Sequence, residues 1–288
     1  MTSLELIKLA VVSSIFLTVL GIGMSATLRD VTFLLREPGL LLRSIVSMFV
    51  VMPVAVAVVA EVSNLPEAVK IALVALAIAP VPPILPRREL KAGGHAGYAV
   101  GLLAVGALIA IVYVPLAVEI LDRIFGRHGD VSPLAIGKIV LITILAPLLI
   151  GMAIRQWAPG AAEKSAGRVL AIGMILLVAA SIPLLAVTWE AVAALVGDGT
   201  VLIMALVVAG GLLLGHVLGG PRPEHRIVLA LSTASRHPAV ALTVATSGVM
   251  RTKQELAAVL LYVVVSVLVS LPYVMWRRRR AAAVPGAP

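Results

Sequence analysis

The chain has 288 residues, of which 61% are hydrophobic and only 13% are charged, and its formal net charge is +9. Soluble domains carry about 25% charged residues, so this composition excludes a single soluble domain around one core. The absence of cysteine excludes disulfides, thiolate metal sites and cysteine nucleophiles.

Apolar stretches of about 20 residues, the length that an α-helix needs to cross the hydrocarbon core, recur along the whole chain. The sequence therefore predicts an all-α integral membrane protein with about nine transmembrane helices. The first stretch is taken as a span and not as a signal peptide, because it lacks a basic start and a clear cleavage site. The predicted spans are 5–24, 39–60, 67–85, 96–121, 133–155, 168–187, 199–219, 226–249 and 256–276.

The short connections between the spans alternate in charge. Lys and Arg are retained preferentially on the cytoplasmic side, so the pattern predicts a cytoplasmic C-terminus and an N-terminus outside, in the inner or plasma membrane. Arg251 and Lys253 are exceptions that fall on the outer side. The basic connections and tail contain Arg29, Arg36, Arg43, Arg155, Lys164, Arg168, Arg222, Arg226 and Arg277–Arg280, and the acidic connections contain Glu61, Glu67, Glu190 and Asp198.

The third span is interrupted by prolines, which lack a backbone N–H and clash with the preceding turn. Carbonyls freed in this way at membrane depth must be buried in protein or line a wet cavity. Arg87 and Arg88, which follow, could line the same site or could lie in an interfacial loop that contacts lipid headgroups. The four prolines are Pro80, Pro82, Pro83 and Pro86.

The eighth span is interrupted near its middle by Arg236, His237 and Pro238. An arginine at mid-span costs at least about 2.5 kcal/mol and usually faces a cavity or a partner. Arg236 could bind an anionic substrate, or it could pair with a carbonyl or carboxylate and only stabilise the fold. A pair of interrupted spans in two halves of a chain is typical of a transporter site. The candidate substrate-binding or ion-binding residues are Ser232, Thr233, Ser235, Arg236, His237, Pro82, Pro83, Pro86, Arg87 and Arg88.

An intramembrane enzyme is disfavoured. Such chemistry needs a Ser–His pair, a metal cluster or paired carboxylates at depth. Ser235 and His237 are two residues apart and do not share a helix face, and Asp and Glu are expected only at span ends. The other histidines show no metal-ligand spacing, so we assign no metal and no cofactor; they are His95, His128, His216 and His225.

Several short segments together resemble the bile acid:sodium symporter family. Residues 21–30, GIGMSATLRD, resemble the family's GMGLTL…D, and Met52–Pro53 resemble its MP. Residues 79–94 align without a gap with its CPGGTASNVMTYLARG, and residues 226–245 fall on its ExxxQN helix. The resemblance covers nearly the whole chain, and the order and spacing of the segments carry it.

The resemblance implies an inverted-repeat helical bundle with core and panel domains, in which two broken helices cross beside the substrate and sodium sites. Many relatives lack the first helix, which agrees with nine spans. The expected division of the single transmembrane domain is a first repeat at 1–127, a second at 128–276, and a basic, disordered tail at 277–288.

The family's sodium ligands are not matched. Its glutamate, glutamine and asparagine positions hold Ser232, Arg236 and His237, and its Ser–Asn pair falls on Leu85 and Pro86. Arginine is effectively always charged, and a second cation in the same pocket is repelled. We hypothesise that Arg236 replaces bound sodium, although sodium binding in another form stays open. His237 is a further candidate, for coupling to protons.

These observations predict a secondary transporter that carries a small organic anion by alternating access. The alternative is a sensor or binding module that kept the fold and lost transport. A channel is disfavoured, because no helix carries a ring of repeated polar residues. The expected partners are the organic anion and the lipid bilayer, without nucleic acid, and a homodimer remains open.

Overall fold

The computed structural model describes residues 3–125, 133–197, 199–245 and 253–282. Within these residues the regular structure is helical and contains no strand, which confirms the predicted all-α class. The helices are α1 (Ser3–Ser25), α2 (Leu28–Val31), α3 (Pro38–Val62), α4 (Glu67–Ile78), α5 (Leu85–Lys91), α6 (Ala96–Phe125), α7 (133–157), α8 (Pro159–Ala194), α9 (Thr200–Leu218), α10 (Pro223–Ala234), α11 (Pro238–Ala245) and α12 (Lys253–Ala282).

Five of the described helices are long and apolar enough to cross a membrane. Large apolar side chains such as Val54, Ile175 and Leu202 are exposed along the bundle, as expected for a surface that faces lipid. The count of nine crossings stays a prediction, because each half of an interrupted helix is short by itself. The five helices are Pro38–Val62, Ala96–Leu121, Gly137–Trp157, Thr200–Leu218 and Gln254–Arg280, and α1 adds a shorter apolar stretch, Leu9–Ser25.

Both predicted interruptions are present. The first gap separates Ile78 at the end of α4 from Leu85 at the start of α5, and the second separates α10 from α11. Pro86 and Pro238 lie in the first turns of α5 and α11 rather than in the gaps, at positions where a missing N–H costs nothing. Arg87 and Arg88 lie on the helix α5 and not in a loop, and their contact with lipid headgroups stays a prediction.

Two of the long helices contain a π-helical turn, at Val46–Val51 in α3 and at Leu141–Leu145 in α7. Each turn is closely followed by a proline, Pro53 or Pro147. Proline inside a helix removes a backbone hydrogen bond and crowds the preceding turn, and the wider π turn accommodates it. The turns leave carbonyl groups that are free to accept hydrogen bonds from other parts of the molecule.

The helices pack in two groups. In the first, α1 packs along α7 and α8, and Gly151 of α7 approaches α1 so closely that a Cβ there would lie 2.3 Å from the oxygen of Leu20. Small residues allow this approach of backbones in membranes. In the second, α3, α4 and α9 to α12 share one cluster of buried side chains, and α6 and α7 contribute to both groups, α7 through Val140 and Ile144 in the second and Leu148 in the first. Their assignment to core and panel domains and to inverted repeats stays a prediction.

The C-terminal part differs from the prediction of a disordered tail. Helix α12 continues through the four arginines to Ala282, and the guanidinium carbons of Arg277 and Arg280 lie 5.2 and 4.8 Å from the ring centroid of Trp276. The rest of the predicted tail, 283–288, lies outside the described residues. The same holds for four other positions or stretches named above: His128, Asp198, Arg251 and the end of the eighth span at 246–249.

Candidate functional site at the crossing of the broken helices

The two gaps meet backbone to backbone. The N–H of His237 in the second gap donates to the carbonyl oxygen of Pro80 in the first, at 2.8 Å. A proline-rich gap exposes carbonyl groups that have no helical partner, and at membrane depth each of them needs a donor. The crossing therefore satisfies a backbone group of one interrupted helix with a backbone group of the other.

Arg236 is enclosed at this crossing, with only 3% of its surface exposed. One terminal nitrogen donates to the oxygen of Ala79 at 3.4 Å, and the other donates to the oxygen of Met48 at 3.1 Å. The Nε atom is buried and has no hydrogen-bond partner. The contact with Met48 has an ordinary hydrogen-bond length and the contact with Ala79 is long, so the Met48 contact is the stronger of the two.

Both acceptors of Arg236 are carbonyls that the sequence leaves without a helical partner. The Met48 oxygen lies in a π turn, where its partner would be the N–H of residue 53, which is a proline. Ala79 follows the last turn of α4, at the negative end of that helix dipole. A cation at this point therefore compensates two electron-rich backbone groups from different helices.

Neighbouring polar side chains hold the second gap to the rest of the bundle. The Thr233 and Ser47 hydroxyls are 2.8 Å apart and join α10 to the π turn of α3. The carbonyl of Ala234, at the end of α10, accepts hydrogen bonds from Tyr262 at 3.1 Å and Ser266 at 3.4 Å, both on α12. These contacts fix the end of α10 where its helical bonding stops.

His237 links the crossing to α7. Its Nε2 atom lies 3.4 Å from the Thr143 hydroxyl in the π turn of α7. The Nδ1 atom of His237 and the hydroxyl of Ser235 are buried without hydrogen-bond partners. The contact between Thr143 and His237 is thus a polar link between α7 and the second gap.

A buried carboxyl group contacts α10 just before the second gap. Glu89 of α5 has no exposed surface, and its Oε1 atom accepts a hydrogen bond from the hydroxyl of Ser232 at 2.6 Å. Its Oε2 atom has no hydrogen-bond partner. Glu89 lies on α5, beyond the predicted end of the third span at residue 85, and the expectation that Asp and Glu lie only at span ends stays a prediction.

The predicted site residues divide into two sets. Arg236, His237, Ser232 and Thr233 are buried and make the contacts above, and Ser235 is buried beside them. The remaining residues belong to the first gap and α5, where the prolines are buried and Arg87 turns away to donate to Leu170 of α8 at 3.4 Å. Arg88 is half-buried on α5. These remaining residues are Pro82, Pro83, Pro86, Arg87 and Arg88.

Of the five residues that the resemblance aligns with the family's sodium ligands, only Ser232 carries a side-chain oxygen, and the alteration of the sodium sites stays a prediction. Sodium is a hard cation that binds oxygen ligands, whereas Leu85 and Pro86 offer no side-chain oxygen and Arg236 places a guanidinium there. Within the part of the chain that the structure describes, no group of three His, Asp or Glu residues could hold a metal ion.

The helical fold and its apolar surface define a multi-pass integral membrane protein. The sequence model of the sodium bile acid symporter family matches residues 12–195, which is well over half of the chain, so the chain belongs to this family. The family is one of membrane transporters, whose partners are a small-molecule substrate and the lipid bilayer. The match ends before α9, so the second gap lies beyond it. No curated protein matches the chain.

Proposed function

We propose that the protein carries a small organic anion across the membrane by alternating access, and that Arg236 takes the place of a bound sodium ion. Membership of the family supports transport. The substrate charge and the role of Arg236 are inferred from the crossing.

The observation that carries the proposal is the position of the Arg236 guanidinium between Ala79 and Met48. A cation that bridges carbonyls from two helices stabilises the crossing in the way that a bound metal ion does. An arginine does this permanently, since it is not deprotonated in proteins. A sodium ion at the same point would be repelled by the fixed charge.

The same charge favours an anionic substrate. Helix α11 begins at Pro238, directly after Arg236 and His237, so its positive dipole end adds to the arginine. Near the crossing, the unpartnered Nε of Arg236 and Nδ1 of His237 offer nitrogen atoms for a carboxylate or sulfonate. The enclosure of Arg236 implies that the substrate gains access only when the surrounding helices move.

The contact between Thr143 and His237 indicates where such a movement acts. It joins the π turn of α7 to the second gap. A displacement of α7 relative to the second gap breaks this contact and opens one side of the crossing, as alternating access requires.

Counterflow in proteoliposomes tests transport and separates it from a sensor. Vesicles are loaded with unlabelled taurocholate, a sulfonate, or cholate, a carboxylate, and labelled compound is added outside. Transient accumulation of label is expected with wild type and with the exposed control Arg168→Ala, and not with protein-free vesicles. Binding of the labelled compounds without any accumulation would instead indicate a sensor.

A further inference from the structure

Glu89 carries a fully buried carboxyl group. The proposed transport of an anion, with Arg236 at the crossing, gives this group no role. It lies on α5 and is joined through Oε1 to Ser232 of α10, while Oε2 has no hydrogen-bond partner. The hydrogen bond therefore joins the second half of one interrupted helix to the first half of the other.

The charged and titratable groups around Glu89 do not pair with it. On its own helix the electrostatic neighbour is Arg88, and on α6 it is Tyr98, whose hydroxyl is shared with Ser44 at 2.8 Å. On α10 the contact is the neutral Ser232. His225, also on α10, stacks against Tyr98 and against His95, which lies just before α6. Across the described ranges no ion pair to Glu89 is found.

An unpaired carboxylate in such surroundings is strongly disfavoured, whereas a neutral carboxylic acid is tolerated. Ser232 already donates to Oε1, so the oxygen that is free to carry a proton is Oε2. The geometry thus provides one oxygen held by a donor and one oxygen open to a proton.

We propose that Glu89 is the ion-binding group of this carrier and that the ion is a proton. An O–H bond forms on Oε2 as an O–H bond of a hydronium ion breaks on the side to which the crossing is open, which leaves a water molecule there. The bond breaks when the carboxyl group meets water on the other side, and the proton is released there. The proposal rests on the proposed transport of an anion, whose negative charge the carried proton compensates.

The position of the hydrogen bond explains why proton release follows movement. Because Glu89 and Ser232 belong to different interrupted helices, a rearrangement of the crossing separates them. Separation removes the donor to Oε1 and admits water, which stabilises the ionised form and releases the proton.

Infrared spectroscopy of the protein in liposomes tests proton binding without any substrate. A C=O stretch band of a protonated carboxyl group is expected in wild type, is lost as the pH is raised, and is absent in Glu89→Gln. The exposed control Glu61→Gln should keep it. Persistence of the band in Glu89→Gln, or its absence from wild type, overturns the proposal. Loss of the band on exchange of potassium for sodium at constant pH also overturns it, because sodium would then occupy the site.

Uptake measurements provide a second test of the proposal. The measured quantity is the ratio of labelled taurocholate or cholate uptake with an inward proton gradient to uptake without it. Wild type and Glu61→Gln should give a ratio well above unity and Glu89→Gln a ratio of unity, with Glu89→Asp, which keeps the acid, in between. An equal ratio in wild type and Glu89→Gln overturns the proposal. If wild type shows neither uptake nor counterflow, the proposed function fails, and the infrared band alone decides whether Glu89 binds a proton.

Discussion

The backbone N–H of His237 donates to the carbonyl of Pro80 at 2.8 Å, so one of the hydrogen bonds that join the two interrupted helices needs no side chain. Substitution of a side chain leaves this link in place. The contributions of Arg236, Thr233 and Ser232 can therefore be measured one at a time on a crossing that keeps its backbone contact.

The hydrogen bond between the hydroxyls of Ser47 and Thr233 should stabilise the fold. The two oxygens are 2.8 Å apart and buried. In membranes such interhelical hydrogen bonds average about 0.6 kcal/mol and reach about 1.7 kcal/mol. We expect a coupling energy in this range from a double-mutant cycle of Ser47→Ala and Thr233→Val, measured by unfolding in detergent. Additive effects of the two changes would show that the pair does not interact.

The close approach of α9 to α10 should depend on Gly215. A Cβ at this position would lie 2.4 Å from the oxygen of Leu229, whereas a Cβ at Gly210, on the same helix, meets nothing within 4 Å. Overpacking of this kind costs about 1–3 kcal/mol. We expect Gly215→Ala to lower the thermal stability in detergent and Gly210→Ala to leave it unchanged. Equal stability of the two variants would contradict the packing described.

The orientation of the chain can be tested with single cysteines, because the natural sequence contains none. Glu61 and Gly160 are exposed at the ends of predicted spans on opposite sides of the membrane. In intact cells, or in spheroplasts if the membrane is an inner one, a membrane-impermeant thiol reagent should label Glu61→Cys directly and Gly160→Cys only after permeabilisation. The opposite labelling pattern would reverse the predicted orientation.

Removal of the Arg236 charge should make the crossing depend on a bound sodium ion. Arg236→Gln keeps a polar side chain but leaves the carbonyls of Ala79 and Met48 without their cation. We expect sodium to stabilise this variant against heat relative to potassium, because a ligand that binds only the folded state raises its stability. Wild type and Arg168→Ala should not respond. Equal melting temperatures of Arg236→Gln in sodium and potassium would count against the proposal that Arg236 takes the place of bound sodium.

The sequence predicted the helical class and both interruptions, because four prolines within seven residues, or a proline beside a mid-span arginine, are poorly accommodated in a helix. Single prolines such as Pro115 and Pro272 lie inside continuous helices. It also predicted Arg236 as the unusual residue, because a charge at mid-span needs a partner. The partners themselves could not be predicted. Met48 accepts a hydrogen bond only because a π turn and Pro53 leave its carbonyl free, and the position of a π turn depends on packing.

Glu89 was missed because it follows four prolines and two arginines, a context that resembles the end of a span. One signal could have found it. The resemblance aligns the family's glutamate with Ser232, and a carboxyl group that is lost at one point of a crossing can be supplied from the other helix. In the structure Ser232 donates to Glu89 at 2.6 Å.

The most direct test of the central claim, that Arg236 takes the place of bound sodium, is the initial rate of labelled taurocholate or cholate uptake into proteoliposomes with an inward sodium gradient and with an inward potassium gradient. Wild type and Arg168→Ala are expected to give the same rate in both gradients, and Arg236→Ala is expected to lose uptake while remaining folded in size-exclusion chromatography. Strong stimulation of wild-type uptake by sodium, or unchanged uptake by Arg236→Ala, would contradict the claim.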